Sequence, residues 1–162
     1  MNFARLKSSL IGCTTFSSKW TGGYARRRIA LSALIPPQLK NSVPCDDKLP
    51  LTIILHGLLG SANNWRSLLA REDMLAGRFV CALDLRNHGK SEHADSMTYK
   101  EMACDVIDFV DKEHRVRDIS VVGHSMGGKV AMHLALAFPE RISNLVVVDI
   151  APVVRGREGV ER

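Results

Sequence analysis

Residues Ile119–Ala137 read I-S-V-V-G-H-S-M-G-G-K-V-A-M-H-L-A-L-A, and the order of residue types in this stretch decides the fold. A short β-branched run (Ile119, Val121, Val122) is followed by Gly123-His124-Ser125-Met126-Gly127 and then by an alanine-rich segment. The sequence predicts a strand, a sharp turn and a helix, with G-x-S-x-G at the bend. Glycines at 123 and 127 flank the serine because so tight a turn leaves no room for side chains on either side. The turn is expected to lift the Ser125 hydroxyl above the sheet edge, while the new helix points its free N–H groups and positive end at the same place. An oxyanion formed on a carbonyl attacked by Ser125 would be stabilised there.

Working outward, Leu51–Leu55 (L-T-I-I-L) reads as a strand that is apolar on both faces but for Thr52, as in a parallel strand covered by helices. Arg78–Leu83 reads as the next strand and ends at Asp84. Trp65, Leu68, Leu69 and Leu75 suggest one helix between them, with caps available in Ser61–Asn64. Thr98 and Glu101 form a capping-box signature. The helix behind it is expected to turn Met102, Val106 and Phe109 inward and Lys100, Asp105, Asp108 and Lys112 toward water. After the Ser125 turn, Val130, Leu134, Ala131 and Ala137 form the buried face of a helix stopped by Pro139. Asn144–Val148 reads as another buried strand, ending at Asp149. Ile29–Ile35 reads as a first strand ended by Pro36-Pro37. Strands alternating with helices predict an α/β fold with an open, mostly parallel sheet.

The 162 residues suffice for one domain with a core and are too few for two of ordinary size. The net charge of +5 is unevenly spread: residues 1–45 hold seven basic residues and no acid, and all seventeen acids lie beyond them. The basicity therefore belongs to a leader, not to a nucleic-acid-binding face. Phe3, Leu6 and Leu10 share a helical stripe with Arg5 and Lys7 off it, so residues 1–28 read as a mitochondrial transit peptide, with an ordinary disordered basic tail as the competing reading, and the expected location is the matrix. Residues 153–162 read as a polar tail. Cys81 and Cys104, in an expected strand and helix, are expected to be buried free thiols, and Cys13 and Cys45 form no C-x-x-C with them. The cysteine and histidine spacing offers no metal set. No stretch reaches the roughly 18 uninterrupted apolar residues of a membrane span.

Several polar residues fall at the expected carboxyl ends of strands, where open sheets place their sites. Ser125 is the candidate nucleophile; the competing reading is a plain helix N-cap. The Met126 N–H is one oxyanion donor by position, and the second is assigned to the Leu58 N–H in the loop after Leu55. Asp149 is either an acid that orients a histidine or a hydrogen-bonded loop acid, and the residues alone leave both open. Asp84 reads as a brace for backbone N–H groups or Arg86. None of the six histidines reads as a base for Ser125: His56 and His88 suit buried or loop-bonding roles, His93 and His114 suit the surface, His124 adjoins the serine, and His133 is on the following helix.

H-G-L-L-G at 56–60, D-L-R-N-H-G-K-S at 84–91, G-H-S-M-G-G-K at 123–129 and V-D-I-A-P at 148–152 together resemble the α/β-hydrolase superfamily, and within it the ABHD11-like esterases, relatives of the bacterial YbfF esterase. The resemblance spans about Leu51 to Pro152, so 29–152 is expected to be the N-terminal part of such a domain. It implies a serine carboxylic-ester hydrolase acting on small-molecule esters, acylglycerols or other lipids, without a cofactor. By the same resemblance Ser125 is the nucleophile, Leu58 and Met126 line the oxyanion hole, and Asp149 matches a triad acid of some relatives. It also implies a mitochondrial setting. Such hydrolases continue through further strands, a lid and the catalytic histidine, so the C-terminal strands and the base are expected to be missing from these 162 residues. That leaves Asn144–Val148 as an open apolar edge. The alternative expectation is a non-catalytic short product that binds or regulates the full-length enzyme or a mitochondrial matrix protein complex.

Overall fold

The computed structural model describes residues 27–39, 50–75, 77–113 and 118–151. Most of the expected leader, Cys13, Cys45, His114, Pro152 and the polar tail lie outside the described residues. Among the described residues five strands form one sheet: β1 (Ala33–Leu34), β2 (Leu51–Leu55), β3 (Phe79–Leu83), β4 (Ile119–His124) and β5 (Ile142–Val148), in the spatial order β1-β3-β2-β4-β5. β2, β3, β4 and β5 pair in parallel, and β1 runs antiparallel along β3. This is the open, mostly parallel sheet that the sequence predicts. Of the expected first strand Ile29–Ile35, only Ala33 and Leu34 pair as β1.

β2 and β3 are buried at every position, which explains their lack of alternation. Leu51, Ile53, Leu55, Phe79, Cys81 and Leu83 face one side and pack with Met102, Val106 and Val110 of α3 (Tyr99–Glu113) and Val130 and Leu134 of α4 (Met126–Ala137). Each such fully buried side chain contributes on the order of 1.5–3 kcal/mol. Ile54, Val80 and Ala82 face the other side, under Ala62, Leu69 and Leu75. Cys81 and Cys104 are buried and outside any disulfide, and burial pushes the Cys81 thiol up to about 12.

Three expectations are corrected. The segment around Trp65 is not one helix but a 3-10 turn (Ala62–Trp65), then α1 (Arg66–Leu69) and α2 (Glu72–Leu75). Its two asparagines are poor helix formers, and Asn64 Oδ1 turns back to accept the Ser61 N–H at 3.1 Å. Asp105 does not face water; its side chain is 0% exposed. β5 is not buried: it is the edge strand, with Leu145, Val146 and Val148 at least 40% exposed. The open apolar edge expected at Asn144–Val148 is therefore present. Burial of a strand depends on its neighbours, which its own residues do not reveal.

The register places the site. Leu55 stands opposite both Leu83 and Gly123, and Gly123 opposite Val147. The carboxyl ends of β2, β3, β4 and β5 thus finish together, and the residues that follow them share one end of the sheet.

Candidate active site

Between β4 and α4 the whole reversal is made at Ser125, whose backbone sits at φ 51° and ψ −114°. Such a conformation costs roughly 1–3 kcal/mol in a non-glycine residue and persists only where its surroundings hold it. Here the Ser125 N–H donates to Val148 O at 2.9 Å and its carbonyl accepts the Lys129 N–H at 3.2 Å. The flanking glycines are required by close approach: a Cβ on Gly123 would lie 2.3 Å from Gly127 O, and one on Gly127 2.6 Å from His56 O. The Ser125 side chain makes no capping hydrogen bond to α4, which removes the plain N-cap reading. Among the described residues no side chain hydrogen-bonds its hydroxyl.

The loop after β2 lies against this turn. A Cβ on Gly57 would come within 3.3 Å of Ser125 Cβ and 2.9 Å of His124 Nδ1. His56 O accepts the Gly127 N–H at 3.1 Å, joining the loop to the first turn of α4. Gly57 O accepts the Gly60 N–H at 3.0 Å, closing a turn whose third residue, Leu59, holds φ 60°. The loop at Gly57, which Leu58 follows, and the start of α4 at Met126 therefore flank Ser125. The Leu58 side chain is largely exposed, and Met126 is buried. Met126 supplies one of the leading N–H groups of α4 that have no partner within the helix.

Behind the loop stands a braced polar layer. Asp84 accepts the Ala62 N–H at 2.6 Å and the Lys90 N–H at 2.9 Å, the backbone-bracing role expected of it. Arg86 turns instead to Asp105 and Glu101. Sequence reasoning missed that buried cluster, yet a signal existed: Asp105 follows Met102 by three residues and precedes Phe109 by four, so it lies on the inward stripe of α3. His56 is buried, and desolvation holds its imidazole below the ordinary value of 6.5 despite a hydrogen bond to the Gly57 carbonyl. His88 is buried with its ring 5.0 Å from His56, and its Nδ1 bonds Arg86 O at 2.9 Å.

Asp149 follows β5 with φ 56° and a side chain 83% exposed. Its neighbour is His124, whose Nε2 lies 3.7 Å from Asp149 Oδ2. The His124 ring also meets the Trp65 indole edge-on at 6.5 Å. His133 Nδ1 bonds the Lys129 carbonyl at 3.0 Å, and His93 is exposed. The structure thus brings together Ser125, the Leu58 loop and Met126, and sets Asp149 at the next strand end beside His124. Among the described residues no group of three or more His, Cys, Asp or Glu side chains is arranged to hold a metal ion. No described helix is long and apolar enough to cross a membrane.

Residues 50–158 match the protein family described as alpha/beta hydrolase fold. The chain is 43% identical over 117 residues to mouse (Mus musculus) sn-1-specific diacylglycerol lipase ABHD11, covering 72% of this chain and 38% of that protein. It is 41% identical over 101 residues to esterase YbfF of Escherichia coli, covering 62% and 39%. Among solved structures, a marine microorganism esterase superposes with a TM-score of 0.66 at 33% identity, covering 83% of this chain and 46% of that one. The chain spans about two-fifths of the length of these two curated relatives. Its strand order, its G-x-S-x-G turn and this match over two-thirds of its length lead to one conclusion: the chain belongs to the α/β-hydrolase family.

Proposed function

We propose that this chain carries the nucleophile and oxyanion hole of a serine carboxylic-ester hydrolase. The observation that carries the reading is Ser125: strained at φ 51°, without a side-chain cap bond, and with the loop after β2 packed against it. Its Oγ adds to the ester carbonyl carbon while its proton passes to a base. The Leu58 and Met126 N–H groups hold the resulting oxyanion, which collapses to an acyl-enzyme as the protonated alcohol leaves. Water then adds to the acyl carbon and releases the acid. No cofactor enters these steps.

Asp149 is assigned as the acid that orients the base. The base itself is assigned to a histidine that the complete protein supplies from beyond these 162 residues; no described histidine hydrogen-bonds Ser125. On this reading the 162 residues alone turn over no ester. The name of the mouse relative supports a lipid ester, such as an acylglycerol, as substrate. Comparison of the complete natural protein with its Ser125→Ala variant on p-nitrophenyl butyrate tests the assignment; undiminished hydrolysis by the variant refutes it.

A second reading rests on the open apolar edge of β5: the short chain binds a mitochondrial matrix protein without catalysis. Pull-down from mitochondria followed by native mass measurement tests it, and recovery of aggregate alone refutes it. The acid-free basic stretch 1–45 supports matrix import, tested by the location of a reporter fused to those residues.

A further inference from the structure

The peptide between Gly57 and Leu58 is gripped from its far side. Gly57 O accepts two hydrogen bonds, from His56 Nδ1 at 2.8 Å and from the Gly60 N–H at 3.0 Å. A trans peptide is planar, and its C=O and N–H point in opposite directions. Two donors that pin the Gly57 oxygen therefore fix the direction of the Leu58 N–H on the other side of the plane. An amide whose oxygen accepts hydrogen bonds is also polarised, which makes its N–H the stronger donor.

The grip depends on one tautomer of His56. Its Nε2 lies 3.0 Å from the Leu85 N–H. That N–H only donates, so Nε2 presents its lone pair and the ring proton resides on Nδ1. The ring is 1% exposed and packs on His88, so it has no room to flip. The carbonyl of the same residue accepts the Gly127 N–H, so His56 spans the loop after β2, the loop after β3 and the first turn of α4.

Resting on the assignment of the Leu58 N–H to the oxyanion hole, we propose that His56 is a positioning residue for it: the neutral Nδ1–H tautomer aims and polarises the Leu58 amide toward the oxygen that gains charge above Ser125. His56 takes no part in proton transfer, because both of its ring nitrogens are bonded to backbone. Its contribution is felt where the oxyanion exists, in the transition state, and not when the uncharged ester binds.

Two substitutions divide the ring's functions. His56→Asn puts an amide N–H near the Nδ1 position and keeps a donor for Gly57 O, but gives up the bond to Leu85. His56→Gln reaches the Nε2 position with an acceptor for the Leu85 N–H and loses the donor to Gly57 O. In the complete natural enzyme, removing an oxyanion donor outright costs roughly 10²–10³ in kcat, so misaiming one in His56→Gln is expected to cost about 10- to 100-fold, with His56→Asn recovering to within about fivefold of the parent. KM stays the same in both.

A merely structural histidine would instead give losses that follow the unfolding midpoints of the two variants. Nitrogen NMR of the uniformly ¹⁵N-labelled parent decides the matter independently of how the variants fold. A protonated Nδ1 and an unprotonated Nε2 are expected at His56, and the reverse tautomer overturns the proposal. So does a His56→Gln enzyme with undiminished kcat while Ser125→Ala is inactive. Retained activity in Ser125→Ala would instead remove the nucleophile assignment on which the proposal stands.

Discussion

Arg86 and Asp105 meet as a two-pronged ion pair inside the protein: Nε lies 2.6 Å from Oδ2 and Nη2 lies 2.9 Å from Oδ1, with side chains 1% and 0% exposed. The remaining guanidinium nitrogen, Nη1, donates to Ser96 O at 3.0 Å and lies 3.2 Å from Glu101 Oε1. The pair fastens the loop after β3 to α3. That loop also carries the Leu85 N–H bonded to His56, so the ion pair supports the back of the candidate oxyanion loop.

Removing the Asp105 charge leaves the buried Arg86 guanidinium with the partly exposed Glu101 as its remaining ionic partner among the described residues. Asp105→Asn is expected to lower the free energy of unfolding by about 3–5 kcal/mol, read from urea denaturation. A loss below about 1 kcal/mol, the range of exposed pairs, would show that the cluster is solvated.

Acid sensitivity follows from the same cluster. Burial alone would raise the Glu101 carboxyl, but the Ser96 hydroxyl, the Thr98 N–H and hydroxyl and the Arg86 charge together hold it at about 2, against an ordinary 4.5. Its folded value is depressed, so its stabilisation is present above 4.5 and is lost as pH falls toward 2. His56, also depressed, begins to cost stability as pH drops below 6.5, where the unfolded chain takes up its proton first. The urea midpoint is expected to fall less between these acid limits in Glu101→Gln than in the parent. Equal falls would contradict the assignment.

The turn at Ser125 makes a separate demand. A Cβ on Gly123 meets the Gly127 backbone, which cannot yield without opening the turn, whereas one on Gly77, at φ 68°, meets nothing within 4 Å. Gly123→Ala is expected to cost about 3 kcal/mol or more. Gly77→Ala is expected to cost only the left-handed penalty of about 1–2 kcal/mol. Equal losses in thermal unfolding would mean that close approach is not what selects Gly123.

What the sequence disclosed, and what it hid, divides along physical lines. β2 was legible because five consecutive buried positions demand an unbroken apolar run, and α4 because Val130, Ala131, Leu134 and Ala137 keep helical spacing up to Pro139. The Ser125 turn was legible because contacts too close for a Cβ leave glycines at fixed places. Asp105 was misread because charge was weighed above its place on the inward stripe. β5 was misread because its valines suit a covered strand, while exposure at a sheet edge is set by what lies beside it. The buried, loop-bonding role of His56 was anticipated, but not its particular partners, because backbone groups at Gly57 and Leu85 leave no mark in side-chain identity.

The central claim, that Ser125 is a nucleophile, is tested most directly by covalent capture. The complete natural protein is treated with a fluorophosphonate and digested, and the adduct is located by peptide mass spectrometry. The account predicts a single phosphonyl adduct on Ser125, absent from the Ser125→Ala variant. An adduct on another residue, or equal labelling of Ser125→Ala, would contradict it.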